Sequence, residues 1–163
     1  MFGPELHHQN EQTSITLGPI IYEDLPDTID ENIKEYLNDR YSNFLTTLPN
    51  QYDWLKHGTD NIHWGIYSEA KALLGITGVR NLNVEGEPAI SRIALFSDAL
   101  RGKGIGRLAY EAQYAYLRNA QVAPWYEHSA ANANVGSLRI AQKVGFVAVR
   151  RDAMRTTMHL RQP

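Results

Sequence analysis

The sequence contains no cysteine among its 163 residues. This absence excludes a disulfide framework, a thiol nucleophile and a zinc site built on cysteine. The six histidines are scattered without metal-ligand spacing, so we expect no metal site. A reducing, cytoplasmic setting is the default expectation for such a chain.

The sequence also lacks an excess of charge of one sign and any long apolar run. Sixteen basic residues against eighteen acidic ones give a formal charge of −2, which argues against a broad nucleic-acid surface. A local basic patch at Arg101, Lys103 and Arg107 stays open. No apolar run approaches the ~20 residues of a membrane helix, and the N-terminus lacks the apolar core of a signal peptide. We therefore expect neither nucleic acid nor a membrane as partner.

What the chain does have is the composition of an ordinary globular domain. Hydrophobic residues make up 43% and charged residues 21% of the sequence, and the length suits one domain with a buried core. Residues 1–13 are polar and show no periodicity, which predicts a flexible tail. Residues 14–163 are predicted to form the single domain.

Hydrophobic periodicity predicts a mixed α/β sheet. The predicted strands are Ser14–Ile21, Ile62–Ser68, Ala72–Val79, one beginning near Ala89, Ala123–Ser129, Phe146–Val149 and Thr156–Leu160. The predicted helices are Asp24–Asn38, Tyr41–Thr46, one from Pro49 to His57, one from a glycine-rich turn near residue 104 to Asn119, and Val135–Val144.

A glycine-rich turn joins the strand near Ala89 to the helix that ends at Asn119. It reads Arg101-Gly-Lys-Gly-Ile-Gly106. Unpaired N–H groups at a helix N-terminus suit a phosphate, and glycine lets the backbone approach it closely. The spacing does not fit a mononucleotide P-loop, and the third glycine is misplaced for a dinucleotide fingerprint. A simple turn that needs a flexible φ angle is the alternative.

A second motif follows about thirty residues later, where Asn134-Val-Gly-Ser137 opens an amphipathic helix that ends in Gly145-Phe146. The two motifs together resemble those of the GNAT family of N-acetyltransferases. The resemblance covers most of the chain from Ile15 to Leu160 and is most specific between Arg92 and Phe146. The Asn-x-x-Ser form looks most like the branch that contains the ribosomal-protein N-acetyltransferases.

The resemblance implies a fold and a cofactor. The fold would be a GNAT-like α/β domain, in which helices flank a mixed, mostly antiparallel sheet of about six to seven strands with a splayed parallel pair. Acetyl-CoA would be the acyl donor, and no metal would be needed. The implied cofactor-binding residues are Ile93, Ala94 and Leu95 for the pantetheine arm, Arg101, Gly102, Lys103, Gly104, Ile105, Gly106 and Arg107 for the pyrophosphate, and Asn134 for the cofactor's amide region.

The resemblance is less informative about catalysis. Ser137 is the candidate proton donor to the departing thiolate, with simple helix packing as its alternative role. Many relatives carry a tyrosine as general acid where this chain has Ala141. His128 and Glu127 are the candidate general bases, and they point to opposite faces of one strand, so only one of them faces the site.

These observations predict an acetyl-CoA-dependent N-acetyltransferase that transfers the acetyl group directly to a primary amine, either a protein N-terminus or a small molecule. The expected partners are acetyl-CoA and that amine, and the expected state is a monomer or homodimer. A catalytically silent acyl-CoA-binding or sensor domain is the main alternative. A third possibility is an α/β domain whose glycine turn is only a turn.

Overall fold

The structure is a computed structural model that describes residues 1–26 and 48–162. The strands are β1 (Leu6–Gln9), β2 (Ser14–Gly18), β3 (Ile62–Ser68), β4 (Leu73–Arg80), β5 (Ala89–Leu95), β6 (Trp125–Ala131), β7 (Val147–Arg151) and β8 (Arg155–Arg161). The helices are α1 (Leu48–His57), α2 (Ile105–Asn119) and α3 (Val135–Val144), with short 3-10 turns at Tyr22–Asp24 and Asp98–Leu100. No helix within these ranges is long and apolar enough to cross a membrane.

The described strands form one eight-stranded sheet in the order β1-β2-β3-β4-β5-β6-β8-β7. Neighbouring strands are antiparallel except β5 and β6, which run parallel. Only two residue pairs join this parallel pair, Ala89 with Tyr126 and Ile90 with Glu127. Beyond them the two strands diverge and leave an opening in the sheet. The mostly antiparallel sheet with a splayed parallel pair is therefore confirmed, with β1 raising the strand count above the expected six to seven.

The N-terminal segment requires a correction. A flexible tail was expected over residues 1–13, but Leu6–Gln9 form β1 and pair with β2 from Leu6–Leu17 to Gln9–Ser14. The Trp64 indole also donates a hydrogen bond of 2.8 Å to the Pro4 carbonyl. A four-residue strand whose apolar contribution to the core is Leu6 is too short to show a period in the sequence.

The predicted helices before β3 fall largely on undescribed residues. The segment Tyr41–Thr46 and most of Asp24–Asn38 lie outside the described residues, and Tyr22–Asp24 form a 3-10 turn. The helix that was expected after Pro49 is α1, which begins at Leu48 and ends at His57.

The two faces of the sheet are covered by different helices. On one face, α2 packs through a periodic stripe that includes Leu108, Ala112 and Leu117. On the other, Leu55 of α1 packs with Ile76 and Ala94. Each fully buried leucine or isoleucine among them contributes about 1.5–3 kcal/mol relative to exposure.

Strand alternation assigns the side chains beside the opening to these faces. Thr77 bonds to Gln113 of α2 and pairs with Ile93, so Ile93 and Ser91 point toward α2. Ala94 and Arg92 therefore point toward the α1 face. On β6, Tyr126 bonds to the Leu117 carbonyl of α2. His128 then also points toward α2, whereas Glu127 and Ser129 point the opposite way.

Candidate active site

The glycine-rich turn borders open space in front of α2. Gly102 and Gly104 have φ angles of 74° and 77°, a left-handed conformation that side chains with a Cβ adopt at a cost. A Cβ placed on Gly102 would meet no atom within 4 Å, and one on Gly104 only the Asn10 amide at 3.9 Å. Gly104 is also the N-cap of α2. The first-turn N–H groups of the helix therefore lie behind a shallow cradle that suits an anion.

Gly106 has a different role from the two preceding glycines. A Cβ at this position would lie 2.9 Å from the Ile140 Cδ1 atom of α3 and 3.5 Å from Ile93 Cδ1. The missing side chain lets α2 approach both α3 and β5. A side chain at this position would push α2 away from α3 and β5, the elements on either side of the site.

Side chains from two parts of the chain hold the turn in place. Ser97 accepts a hydrogen bond of 3.2 Å from the Ala99 N–H, and Asp98 lies 2.9 Å from the Arg101 guanidinium. The Thr13 hydroxyl, from the β1–β2 hairpin, donates to the Lys103 carbonyl at 3.2 Å. The cradle is thus fixed from its own loop and from the far edge of the sheet.

A cavity of about 540 Å³ runs from the glycine turn into the opening between β5 and β6. Ten of the eleven predicted cofactor-binding residues line it, and the exception is Lys103. The lining residues among those predicted are Ile93, Ala94, Leu95, Arg101, Gly102, Gly104, Ile105, Gly106, Arg107 and Asn134. Lys103 is exposed, and its carbonyl is held by Thr13.

Four cations that the sequence motifs did not single out also line this cavity, namely Arg92, Arg139, Lys143 and Arg155. Arg139 and Lys143 belong to α3, whereas Arg101 precedes α2 and Arg107 lies in its first turn. The cations of the turn, α2 and α3, together with the N-terminus of α2, provide the complement of a polyanion. The residues present therefore fit the diphosphate portion of acetyl-CoA.

A chain of three side chains reaches the cavity from the core beneath α2. The Tyr110 hydroxyl lies 2.9 Å from His128 Nδ1, and His128 Nε2 lies 2.9 Å from Ser137 Oγ. Ser137 stands in the first turn of α3, where its N–H donates to the Asn134 side chain at 3.2 Å. Asn134 thus caps the helix, worth about 1 kcal/mol, while His128, Asn134 and Ser137 all line the cavity.

The environment of His128 keeps its imidazole neutral. The ring is only 4% exposed, and burial, assisted by the positive charges of Arg92 and Arg155, lowers its pKa from 6.5 to about 4. A neutral imidazole offers one donor and one acceptor. It can therefore bond to the Tyr110 and Ser137 hydroxyls at the same time.

The two predicted base candidates are separated by the sheet. Glu127 Oε2 lies 3.1 Å from His159 Nε2 on the face opposite α2, and Glu127 does not line the cavity. Ala141, where a tyrosine was noted as absent, is fully buried beneath the site. Tyr110 was missed because its position in the apolar stripe of α2 is typical of a core residue, and only the placement of His128 distinguishes it.

An anion cradle at a helix N-terminus, next to parallel strands that diverge around a cavity, defines an acyl-CoA-binding α/β protein. The model of the acetyltransferase (GNAT) domain family matches residues 14–147. The chain therefore belongs to the GNAT family and is an acetyl-CoA-dependent N-acetyltransferase. The family, fold and acyl donor expected from the two motifs are confirmed.

Solved structures share the fold at low sequence identity. A spermidine N-acetyltransferase from Vibrio cholerae, in complex with CoA and spermine, has a TM-score of 0.69 and 19% identity over 94% of this chain and 97% of its own. A Vibrio cholerae protein described as a ribosomal-protein-serine acetyltransferase has a TM-score of 0.63 and 14% identity, over 95% of this chain and 97% of its own. A GNAT acetyltransferase from Bacillus anthracis has a TM-score of 0.66 and 12% identity, over 96% of this chain and 98% of its own. A sequence search of curated proteins found no significant match.

Proposed function

We propose that the protein acetylates a primary amine by direct transfer, and that Ser137 protonates the departing CoA thiolate with His128 and Tyr110 behind it. The observation that carries this proposal is the Tyr110–His128–Ser137 chain, which ends at the cavity where β5 and β6 diverge. Bound acetyl-CoA supplies the thioester that the amine attacks. The residues of this chain supply the binding cradle and the proton.

One direction of the hydrogen bonds among the three side chains makes Ser137 the proton donor. We assign the Tyr110 hydroxyl as the donor to His128 Nδ1, an assignment that places the imidazole proton on Nε2. His128 then donates to Ser137 Oγ, and the Ser137 hydroxyl hydrogen is free to point into the cavity. In this arrangement His128 polarises the Ser137 hydroxyl and keeps its own proton. The serine gives its proton to sulfur and regains one from water in the cavity, so the imidazole stays neutral throughout.

The amine must lose a proton on the other side of the reaction. His128 is engaged by Ser137 and Tyr110, and its pKa of about 4 makes it a weak base. Glu127 lies one residue away on the opposite face, held by His159. We assign to Glu127 the removal of the amine proton, through water.

Three variants test the proton donor. We expect Ser137→Ala to lower kcat by about 10²-fold or more, since general acid catalysis usually contributes about 10²–10⁴-fold, with an unchanged affinity for acetyl-CoA. Ser137→Thr, which keeps a hydroxyl, should restore most of the rate. Val135→Ala is the control, because it shortens an exposed side chain in the same turn of α3 and leaves the hydroxyl and the helix cap in place. CoA release is followed with a panel of amines.

Two results would contradict this assignment. Equal kcat values for the wild type and Ser137→Ala would reduce the serine to helix packing. Tight acetyl-CoA binding without CoA release for any amine would favour the silent acyl-CoA-binding domain instead.

We further propose that residues 14–163, together with the strand β1, act as one catalytic domain, as a monomer or homodimer in the cytoplasm. The family match over 14–147 and the single sheet of the described strands support the domain. A dodecameric structure of a spermidine N-acetyltransferase from Vibrio cholerae has the same fold, with a TM-score of 0.69 and 16% identity. Sedimentation velocity distinguishes a dimer from a larger assembly.

A further inference from the structure

The opening between β5 and β6 has two sides with different chemistry. On the α2 side it is bordered by the glycine cradle, Ser137 and His128, which the proposed function assigns to acetyl-CoA. Helices α2 and α3 cover that side. An amine that attacks the acetyl group therefore has to approach from the α1 face, where Arg92 and Ser129 point.

Two guanidinium groups line the cavity on that face. Arg92 comes from β5, half-buried, and Arg155 comes from β8, exposed. Arg155 pairs in register with Ala131 of β6, and its Nε and Nη2 atoms donate to the Ser129 side chain and carbonyl at 3.3 and 3.2 Å. Both cations act on the same imidazole, because each contributes to the lowered pKa of His128. They therefore lie around one point, beside the reacting groups.

No carboxylate of the described residues forms an ion pair with Arg92 or Arg155. The Asp152 carboxylate acts on Arg155 electrostatically, but it is exposed and is held by the backbone N–H groups of Met154 and Arg155. The Arg92 Nε atom is buried and has no hydrogen-bond partner there. Glu127 shares this face, but its carboxylate is bound to His159. A half-buried guanidinium whose Nε lacks an acceptor is costly, and an anion bound to the group would offset that cost.

We propose that the acceptor is an amine that also carries an anionic oxygen group, a carboxylate or a phosphate, and that Arg92 and Arg155 bind this group. This inference rests on the proposed function. The same two charges disfavour a polycation, because a second ammonium group would meet both guanidinium groups at short range. A preference for anionic amines therefore distinguishes this protein from a polyamine acetyltransferase.

The test measures kcat/KM for CoA release with amines that differ by one charge. The pairs are L-alanine and L-alaninamide for a carboxylate, O-phosphoethanolamine and ethanolamine for a phosphate, and Ala-Asp-amide and Ala-Asn-amide for a peptide N-terminus, with spermidine as the polycation. We expect the anionic member of at least one pair to be favoured on the order of ten- to a hundredfold, the range of a charge-assisted hydrogen bond. The pair that shows the preference identifies the anion.

Variants assign the preference to the two arginines. Arg92→Gln and Arg155→Gln should each reduce it at least about tenfold, and Arg92→Glu should shift it toward neutral or cationic amines. Arg151→Gln, at an exposed position of β7, is the matched control and should leave it unchanged. Thermal melting and acetyl-CoA affinity confirm that each variant is folded.

The possible failures are distinguishable. Efficient turnover of spermidine or of neutral amines without an anion preference would overturn the inference and leave the proposed function intact, as would a preference that survives Arg92→Gln and Arg155→Gln together. No CoA release with any amine of any charge would overturn both.

Discussion

His128 lies in a position where its charge state matters for both stability and catalysis. Its folded-state pKa is about 4, against 6.5 for an exposed histidine. Burial is the main cause, and the cations Arg92 and Arg155 act in the same direction. The imidazole is therefore kept neutral under the conditions in which Ser137 must hold its proton.

This pKa predicts a loss of stability in mild acid. Between pH 6.5 and about 4 the unfolded chain binds a proton at His128 that the folded chain does not. Above pH 6.5 this histidine does not lower the free energy of unfolding. As the pH drops below 6.5 the free energy of unfolding falls, and near pH 4 the loss is about 3 kcal/mol. Urea unfolding at a series of pH values measures this slope.

His128→Gln is the comparison that isolates this histidine. His63 is also buried, and burial together with the charge of Arg80 holds its pKa well below its usual value, so the wild type shows the sum of both groups. In this pH window the variant should take up about one proton fewer on unfolding than the wild type, so its free energy of unfolding should depend less steeply on pH. Parallel slopes for the two proteins would show that His128 titrates normally in the folded state.

At the scale of elements, the glycine turn joins β5 to α2 and carries the anion cradle. The chain offers a matched pair of glycines for testing it. Gly104 and Gly86 have φ angles of 77° and 76°, and a Cβ on either would meet no atom closer than 3.9 Å. The backbone cost of a side chain is thus the same at both positions, but only Gly104 borders the cavity.

We expect Gly104→Val to weaken acetyl-CoA binding at least about tenfold, because the side chain would project toward the diphosphate. Gly86→Val should cost similar stability and leave the affinity unchanged. Isothermal titration calorimetry gives both affinities, and thermal melting gives the shared strain. Equal acetyl-CoA affinities for the two variants would remove the cradle from the mechanism.

The sequence was informative about these elements to different degrees. The bounds of β3 and α3 match the predicted Ile62–Ser68 and Val135–Val144, because alternation and a glycine stop are local signals. The glycine turn before α2 was predictable for the same reason, since its three glycines lie within five consecutive positions. The strand β1 was not, because four residues give no measurable period.

Contacts between distant elements could not be read from the chain. The pairing of His128 with Ser137 joins β6 to α3, and Tyr110 adds a third element. Arg92 and Arg155 come from strands more than sixty positions apart in sequence and share one cavity only because β5, β6 and β8 are neighbours. Residue type gave candidates, and topology decided which of them meet.

At the scale of the whole molecule, the β1–β2 hairpin connects one edge of the sheet to the site. Thr13 holds the Lys103 carbonyl, and His8 lies 3.2 Å from Glu111, which also binds Arg107 at 2.6 Å. Arg107 lines the cavity. A ligand that orders this arginine therefore acts on a network that includes the hairpin.

We expect acetyl-CoA to stabilise the folded protein by about 3 kcal/mol at a concentration one hundred times its dissociation constant. Amide hydrogen exchange should slow in the glycine turn and in the β1–β2 hairpin, because both belong to the same network. Thermal melting and exchange monitored by mass spectrometry measure the two effects. Slower exchange in the turn alone would show that the Thr13 and His8 contacts do not couple the hairpin to the site.

The two residue pairs between β5 and β6 make the middle of the sheet its narrowest backbone connection. The part of the chain before this seam carries the cradle strand and the part after it carries His128, so neither part holds the complete site. A ligand bound between these two strands connects the part of the sheet before the seam to the part after it, as a reversible crosslink. Under a pulling force applied across the seam, acetyl-CoA should raise the rupture force of the protein, and its departure should leave a sheet that separates along this line first.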